Sequence, residues 1–509
     1  MIDLARKNTM RYLSKSRLVD YVICPKRLWL ALHRSDLKQW DAEAQASFAV
    51  GHEIGELARK LYDPKGRGVV FDPMSQGFDE VIEMTTDLLE SSHPIFEAGF
   101  DGGGGRAYAD VMLPLRRNGQ RAWRMVEIKS GSSVKDKYRD DAAIQAYIAR
   151  AAGVNLHSVA VAHIDGTWVY PGGDDYQGLL TEVDLTEEAF GREEEVKEWI
   201  AQAGVIARKR KEPEKAMGQH CEKPYACGFF DYCQRGARSN RYSVACLKGI
   251  KNNQLKELIE VKGVSDLRKI PDEVLNPTQL RVKTHTLAGT VYYDSVAAAA
   301  ALAPYKLPAL FLDFETINPA IPFWKGTRPS QKIPFQFSMH RLSRTGKVTH
   351  QSFLDLSGQD PSRKIAEALI SACGQCGPVF AYHASFEKER IGELAKRFPR
   401  MARPLLAINE RLVDLKPIAK AHYYHPDQQG SWSLKSVLPT IAPDLSYDNL
   451  EGVQDGGMAM TGYYEAIHPE TTPARKAEIE RQLLVYCHRD TEALVRLWQF
   501  FAGRAPFQG

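Results

Sequence analysis

The sequence has no long hydrophobic run, and this limits the compartments in which we expect the protein. The alanine-rich stretch over residues 296–302 is too short to cross a bilayer as a helix. The first residues of the chain carry no apolar core of the kind found in a signal peptide. We therefore expect a cytoplasmic protein that has no membrane partner.

Net charge is also low, which bears on nucleic-acid binding, and the chain length bears on the number of domains. The 509 residues include 67 Lys and Arg against 63 Asp and Glu, which gives a formal net charge of +4. This mild excess does not by itself indicate a nucleic-acid-binding protein. One dense basic run, residues 208–211, is either a solvated helix face or a phosphate contact. The length is too great for one hydrophobic core and predicts roughly three domains.

Cysteine is scarce, with eight residues in the chain, and in a cytoplasmic protein these are not expected to form disulfides. Cys221, Cys227 and Cys233 recur at intervals of six residues in a segment that also contains proline and glycine. Such a segment suits a loop that wraps a metal, with Cys24 as the distant fourth ligand and zinc as the generic choice. The remaining cysteines are interpreted as free thiols: Cys246, Cys373, Cys376 and Cys487.

Two stretches of alternating apolar and polar residues, 108–112 and 125–130, predict a pair of adjacent strands joined by a polar hairpin tip. Asp110, Glu127 and Lys129 are then expected to converge at one end of a sheet, since Glu127 and Lys129 share a face. Two carboxylates bind Mg²⁺ or Mn²⁺ through oxygen ligands, and a lysine can stabilise a phosphodiester that is being cut. An exposed hairpin with a surface Glu–Lys pair is the other interpretation.

The apolar periodicity of the first half predicts several helices and two more strands. Residues 18–33 favour a single amphipathic helix that begins at Ser14 or Ser16. The other helices are expected over residues 48–61, 140–152 and 185–215, and the strands over residues 158–163 and 167–170.

The distant cysteine, the cysteine trio and the acidic hairpin between them resemble the RecB-like nucleases of the PD-(D/E)xK superfamily. More narrowly, they are similar to the iron–sulfur subgroup of CRISPR-associated exonucleases and AddB-type nucleases, over about residues 10–240. The resemblance implies a [4Fe-4S] cluster held by Cys24, Cys221, Cys227 and Cys233. It also implies Lys129 as the catalytic lysine, Gln145 as a nucleic-acid contact, and as metal ligands His52, Asp110 and Glu127. The family usually has a tyrosine four residues after this glutamine, where this chain has Ala149.

The second half contains an apolar strand pattern over residues 309–316 that is interrupted by Asp313 and Glu315. Burying both carboxylates on one strand face is costly without a cation, so a metal site is predicted. Residues 379–387 predict a strand that runs into a helix, and this stretch ends in Glu387.

Near the end of the chain, Tyr486 and Asp490 are four residues apart and therefore share one helix face. Together with the preceding acids, this pattern resembles the DnaQ-like DEDD exonucleases of the tyrosine subtype, over about residues 308–503. The resemblance implies that Tyr486 orients the attacking water and that the metal ligands are Asp313, Glu315, Glu387 and Asp490. The family usually has aspartate where this chain has Glu387, and Asp414 is the second choice for that ligand.

The second half also resembles an uncharacterised domain that is often fused to RecB-like nucleases, through residues 422–426 and 430–435. Lys435 is expected either to contact a nucleic-acid strand or to belong to a structural loop. Between the halves, residues 255–275 predict two short helices joined at Gly263. They form either a helix-hairpin-helix that binds phosphates or an ordinary linker.

These patterns predict an α/β multidomain protein. The expected parts are an iron–sulfur RecB-like nuclease with a PD-(D/E)xK restriction-endonuclease-like core over 1–245, a helical linker over 246–307, and an RNase H-like DnaQ-type exonuclease over 308–509. The expected function is hydrolysis of phosphodiester bonds in DNA, with single strands favoured and RNA as the alternative, in repair or mobile-element defence. A nucleic-acid-binding adaptor with one or both nuclease sites inactive is the competing hypothesis.

Overall fold

A computed structural model of the chain describes residues 13–39, 42–215, 217–223, 225–235, 242–447 and 449–505. The chain divides into two compact units, each of mixed α/β structure. The first unit combines Met1–Gly236 with Ala320–Ser330, and the second combines Ala237–Pro319 with Gln331–Gly509. Residues 246–307 are thus grouped with the second unit, and the expected domain bounds stay predictions.

The first unit is built on a seven-stranded sheet. Its strands are β1 (Leu13–Ser14), β2 (Val69–Val70), β3 (Ile95–Gly102), β4 (Gly105–Arg117), β5 (Gln120–Lys129), β6 (Leu156–Ile164) and β7 (Leu180–Asp184). The strand order is β2-β3-β4-β5-β6-β7, and β1 pairs with β4 in parallel. The predicted hairpin is therefore confirmed as β4 and β5, which are longer than the sequence suggests.

The turn of this hairpin follows directly from two residues. Asn118 and Gly119 lie between the paired residues Arg117 and Gln120, with φ angles of 50° and 77°. Asparagine and glycine tolerate this left-handed backbone better than other residues do. The turn sets the register of both strands, and the register in turn determines which side chains face each other.

Helices cover both faces of this sheet, because adjacent residues of β5 such as Met125 and Val126 belong to different apolar clusters. The helices of the unit are α1 (Lys15–Ile23), α2 (Pro25–His33), α3 (Ala42–Tyr62), α4 (Pro73–Gln76), α5 (Phe78–Leu88), α6 (Asp136–Ala151), α7 (Thr186–Gly191), α8 (Glu193–Ala207) and α9 (Phe230–Arg235). Helix α6 packs on one face of the sheet and α3 on the other.

The helix predicted over residues 18–33 is wrong in one respect, since it is interrupted at Cys24. This residue has extended backbone, with φ −164° and ψ 118°. The residue before a proline avoids helical backbone, so Pro25 ends α1 and occupies the first position of α2. Ser14 caps α1 by accepting a hydrogen bond from the Arg17 amide, as predicted.

Two other local predictions are also wrong. The long helix over residues 185–215 is divided at Arg192, where Gly191 lowers the helical propensity, and it ends before the basic run 208–211. That basic run is exposed. Residues 167–170 form a turn and an irregular segment instead of a strand.

The second unit contains a five-stranded and a two-stranded sheet. Its strands are β8 (Tyr292–Tyr293), β9 (Ala309–Ile317), β10 (Ile333–Leu342), β11 (Val348–Leu354), β12 (Val379–Ala381), β13 (Leu412–Asp414) and β14 (Tyr423–Tyr424). The larger sheet has the order β11-β10-β9-β12-β13, and β14 pairs with β8. Strand β10 is antiparallel to both neighbours, whereas β9, β12 and β13 are mutually parallel. The strand predicted over residues 309–316 is confirmed as the central strand β9.

The helices of the second unit include one that is much longer than the others, at the end of the chain. They are α10 (Asn253–Lys256), α11 (Pro277–Ala288), α12 (Ser295–Leu302), α13 (Ser362–Cys373), α14 (Ser385–Arg397), α15 (Ala402–Glu410), α16 (Leu415–His422), α17 (Leu434–Ile441), α18 (Gly456–Ile467) and α19 (Pro473–Phe501). Across the part of the chain that the structure describes, no helix combines the length and the apolar character that crossing a membrane requires.

The helix-hairpin-helix prediction fails in its second helix. Gly263, with φ 67°, follows the short helical segment that starts with α10. Two 3₁₀ turns, Leu267–Lys269 and Asp272–Val274, then stand where an α-helix was expected. Pro271 lies between these turns and prevents a continuous helix, because its ring and missing amide break the hydrogen-bond pattern.

Candidate metal centres and thiol cavity

A gap between β4 and β5 brings the predicted acids of the first unit together. The two strands pair from the turn back to Val111 and Val126, where the ladder stops. One step further on, the Asp110 carboxylate accepts a hydrogen bond from the Ile128 amide at 2.7 Å. This bond takes the place of a ladder hydrogen bond and holds Asp110 beside Glu127.

Asp110 and Glu127 line one cavity of about 200 Å³ together with Lys129. Glu97 on β3 lines the same cavity and is a member of the site that the sequence did not reveal. The register of β3 against β4 sets Glu97 next to Asp110, and its φ of 58° is unusual for a glutamate. Three neighbouring strands therefore each contribute one carboxylate to the cavity.

Glu127 is 1% exposed, and three side chains hydrogen-bond to its carboxylate. The ammonium groups of Lys129 and Lys15 both contact Oε1, at 2.7 and 2.8 Å. The side-chain amide of Gln145 donates to Oε2 at 2.6 Å. Burial acts to raise the pKa of Glu127, but the two ammonium groups outweigh it and hold that pKa well below its usual range. Glu127 is therefore ionised.

The other two carboxyls of the cavity, Asp110 and Glu97, have raised pKa values. Burial, with the Glu127 and Glu97 carboxylates, raises the pKa of Asp110 to about 8. Burial and Glu127 also raise the pKa of Glu97. A divalent cation among these oxygens relieves the repulsion, and carboxylate oxygens are the ligands that Mg²⁺ and Mn²⁺ take. The donor set thus fits either ion.

Helix α6 supplies two side chains that hold the acidic and basic groups of the hairpin. Asp141 accepts a hydrogen bond from Lys129 at 2.6 Å. Gln145, one helical turn later, donates to Glu127 and also to the Tyr108 carbonyl at 2.7 Å. The sequence predicts Gln145 as a nucleic-acid contact, but it is 1% exposed and lies behind Glu127. Asp141 was missed, and its only sequence signal is its spacing of four residues from Gln145.

His52 does not take the place that the sequence predicts for it. Its side chain is 76% exposed, and its Nε2 lies 3.5 Å from Oε1 of Glu56. The cavity wall contributed by this helix, α3, consists of Gly51, Gly55 and Arg59. The helix is near the acids as expected, but its rotation about its own axis brings Arg59 rather than His52 to the cavity.

The four cysteines of the predicted cluster line one small cavity and are free thiols: Cys24, Cys221, Cys227 and Cys233. Burial and the other three thiols raise the pKa of Cys233 to about 11, although Lys26 acts against this rise. Lys26 and Lys215 line the same cavity and can offset the negative charge of bound thiolates, whereas burial and Lys215 lower the pKa of His220. Four thiols from two distant segments are the ligand set of both a [4Fe-4S] cluster and a structural zinc ion.

The predicted acids of the second unit also form one cluster. Asp313 and Glu315 are on β9 and share a face, and α19, which packs on β9, carries Asp490. Burial and the Asp490 carboxylate raise the pKa of both Asp313 and Glu315 well above its usual range. Burial raises the pKa of Asp490 itself to about 6. These acids repel one another, and a cation among them relieves the repulsion.

Two tyrosines bind Asp490. The Tyr447 hydroxyl donates to Oδ1 at 2.6 Å, and Tyr486, one helical turn before Asp490 on α19, also hydrogen-bonds to it. The two rings lie 6.1 Å apart, centre to centre. Tyr486 was predicted from its spacing, whereas Tyr447 belongs to no motif in the sequence.

Lys435 lies at the same acid cluster. Its Nζ is 5.3 Å from the ring centre of Tyr447 and 5.6 Å from that of Tyr486. It also donates to the Gln454 carbonyl at 2.7 Å. Its charge acts against the burial that raises the pKa of Glu315. Lys435 therefore places a positive charge beside the acid cluster.

Cys487 is a further member of this cluster that the sequence did not reveal. It is a free thiol that is fully buried beside the acids. One ligand atom from each of Asp313, Glu315 and Cys487 lies within 4.8 Å of the others. A sulfur and two carboxylates are a donor set for divalent transition metals.

Glu387 and Asp414 were rivals for one ligand position, and their surroundings differ. Asp414 caps α16 and accepts hydrogen bonds at 2.9 Å from the amides of His383 and Lys416. Glu387 is 2% exposed, and its Oε2 has no hydrogen-bond partner among the described residues. Burial raises the pKa of Glu387 to about 8. Both amides bind the same Asp414 oxygen, Oδ1, so what distinguishes Glu387 is its deeper burial and its effect on the pKa of Asp313, which it raises.

Comparison with known proteins gives one family match. Residues 310–433 match a domain of unknown function, DUF2779. This segment contains Asp313, Glu315 and Glu387, and it ends before Tyr486 and Asp490. No curated protein matches the chain.

Proposed function

We propose that this chain is a metal-dependent nuclease with two nuclease domains, which hydrolyses phosphodiester bonds of single-stranded DNA. The first domain is proposed to be RecB-like, with a PD-(D/E)xK core and an iron–sulfur cluster. The second is proposed to be a DnaQ-like DEDD exonuclease of RNase H-like fold. One observation carries the proposal: each unit gathers several carboxyls at one place, and burial and repulsion raise the pKa of Asp110 in the first unit and of Asp313 in the second.

In the first unit, Asp110 and Glu127 are the proposed metal ligands, and Glu97 adds a third carboxyl. A bound divalent ion activates a water molecule and offsets the charge on the attacked phosphate. The Lys129 ammonium, kept in place by Asp141, stabilises charge that develops on the phosphate oxygens. Asp110 must lose its proton to serve as a ligand, so its raised pKa links metal binding to pH.

In the second unit, the proposed ligands are Asp313, Glu315, Glu387 and Asp490. Tyr486 is proposed to orient the attacking water, because its hydroxyl is beside the ligand carboxylate of Asp490. Tyr447 restrains the same carboxylate from another side. Such restraint matters, since an in-line displacement tolerates little misplacement of the reacting atoms.

The thiol cavity is proposed to hold a [4Fe-4S] cluster. Cys24 stands between α1 and α2, whereas the other three thiols lie in residues 221–233. A cluster bound to all four sulfurs joins these two segments and restrains α1, which packs on the sheet of the first unit. The proposed role of the cluster is structural, because the thiol cavity and the carboxylate cavity are lined by different residues.

The alternative is a nucleic-acid-binding adaptor in which one or both nuclease sites are inactive, and the burial of Glu387 favours inactivity of the second site. Burial raises the pKa of this carboxyl to about 8, so it holds its proton at neutral pH unless a metal displaces it. If Glu387 keeps its proton, the second site retains three other acids as ligands. The alternative therefore predicts that the second unit binds a nucleic-acid strand without cleaving it.

The test uses two single variants, Glu127→Gln and Asp313→Asn, assayed with Mn²⁺ on single strands labelled at either end. Glu127→Gln should abolish the cleavage that depends on the first unit, and Asp313→Asn should abolish the exonuclease products. The double variant should be inactive but should still bind the strand. Each amide is close in size to the carboxylate it replaces, so the fold should persist.

A matched control is Glu90→Gln, which changes an exposed acid of the first unit and should leave cleavage unchanged. Undiminished degradation by the double variant overturns the nuclease assignment for both sites. Inactivity of the native chain on DNA and RNA, together with strand binding, favours the adaptor instead.

A further inference from the structure

Two lysines share one oxygen in the first unit. Lys129 and Lys15 both contact Oε1 of Glu127, at 2.7 and 2.8 Å. The sequence patterns indicate a role for Lys129 alone. Lys15 is largely buried, with 23% of its side chain exposed, and Glu127 raises its pKa against the effect of burial.

The position of Lys15 follows from the short strand β1. Strand β4 pairs with β5 only from Val111 onward, so the residues of β4 before Val111 have no β5 partner on that side. There β1 pairs in parallel with Gly105 and Arg106, and Lys15 follows it at once as the first residue of α1. The same gap that admits the Asp110 carboxylate therefore admits Lys15.

The two lysines differ in what else holds them. Lys129 also donates to Asp141 at 2.6 Å, and its ammonium lies 5.2 Å from the ring centre of Tyr138. Among the residues that the structure describes, Lys15 has Glu127 as its one ion-pair partner. A divalent ion bound to Glu127 repels both ammonium groups at Oε1, and the ammonium with fewer other partners is the one that moves. Lys15 is the group that is free to leave.

We propose that Lys15 is a second active-site lysine, which binds a phosphate of the substrate strand once Glu127 takes part in metal binding. Lys129 then keeps its contact with Asp141 and acts at the attacked phosphate. This inference rests on the proposed function of the first unit. The Asp141 and Asp110 carboxyls also act on Lys15. A bound strand adds a phosphate beside these carboxyls and the metal, and lysine binds phosphate as a mobile point charge.

The test is made in an Asp313→Asn background, so that cleavage reports the first unit alone. Lys15→Met should weaken binding of a labelled single strand, measured with Ca²⁺ by fluorescence anisotropy, by about tenfold or more. The KM for cleavage with Mn²⁺ should rise by a similar factor. Affinity for Mn²⁺ alone should be unchanged or higher, because a competing cation has been removed from Glu127. Lys15→Arg should restore most of the strand affinity.

Two comparison variants separate the outcomes. Lys129→Met should reduce kcat more than KM, and Lys60→Met, which removes an exposed charge from α3, should change neither. Unchanged strand affinity and KM in Lys15→Met overturn the inference, and so does an equal loss of Mn²⁺ affinity. If Glu127→Gln in the same background still cleaves, the proposed function of the first unit fails, and this inference fails with it.

Discussion

The hydroxyl of Tyr447 donates a 2.6 Å hydrogen bond to Oδ1 of Asp490, although the two residues are 43 positions apart in the chain. The bond stabilises the ionised carboxylate, against the burial that raises the pKa of Asp490 to about 6. Tyr447 is outside the segment that matches a known family and outside every predicted motif. The acid cluster of the second unit therefore depends on a residue that only folding brings to it.

Tyr447→Phe removes the donor and should raise the pKa of Asp490 by about one unit. As a proposed metal ligand, Asp490 has to be ionised, so the acid limb of the pH profile of the proposed exonuclease should shift upward by the same amount. The profile is measured in a Glu127→Gln background with Mn²⁺. Tyr305→Phe, at a partly exposed tyrosine of the same unit, is the control. An unmoved acid limb would show that this hydrogen bond does not govern the ionisation.

Asp110→Asn should stabilise the metal-free protein in a pH-dependent way. The pKa of Asp110 is raised to about 8 in the folded chain, so the folded state retains a proton that the unfolded chain releases at about pH 4. Its contribution to stability therefore falls as pH rises from about 4 to about 8. The unfolding midpoint of the variant should exceed that of the native chain at the upper end of this window and match it at the lower end. A midpoint difference that does not vary with pH contradicts the expectation. Saturating Mn²⁺ should reverse the sign of this difference, so that the native chain becomes more stable than the variant.

Gln145→Leu should weaken metal binding rather than strand binding. The buried amide orients Glu127, and loss of such a partner of a ligand costs about tenfold or more in metal affinity. Mn²⁺ titration should show this loss, while the anisotropy of a labelled strand in Ca²⁺ should report little change in affinity at saturating metal. The reverse pattern, lost strand affinity with unchanged Mn²⁺ affinity, would restore the role that the sequence suggests for this residue.

Cys24→Ser should prevent binding of the proposed [4Fe-4S] cluster. Protein purified without oxygen should show broad absorption near about 400 nm and carry iron and sulfide, and the variant should lose all three signals. Cys376→Ser, at an exposed thiol in the second unit, should retain them. Stoichiometric zinc without this absorption in the native chain would replace the cluster by a zinc site held by the same thiols.

Local sequence rules predicted the parts of the fold that depend on neighbouring residues. The turn at Asn118 and Gly119 requires left-handed backbone, and only a few residue types allow it at low cost. The start of α14 and the capping of α16 by Asp414 follow equally from short-range patterns. The break at Cys24 was available from the same kind of rule, since Pro25 follows it directly, but the strong apolar periodicity of residues 18–33 concealed it.

Residue type and spacing are local properties, and they suffice to place the acids and thiols on strands, at helix ends and in loops. Which of these residues meet depends on how distant segments pack. The pairing of β1 with β4 brings Lys15 to Glu127, and the rotation of α3 turns His52 to solvent. The packing of helix α6 likewise buries Gln145. These outcomes depend on contacts between segments far apart in the chain, and such contacts leave no periodic trace in a single sequence.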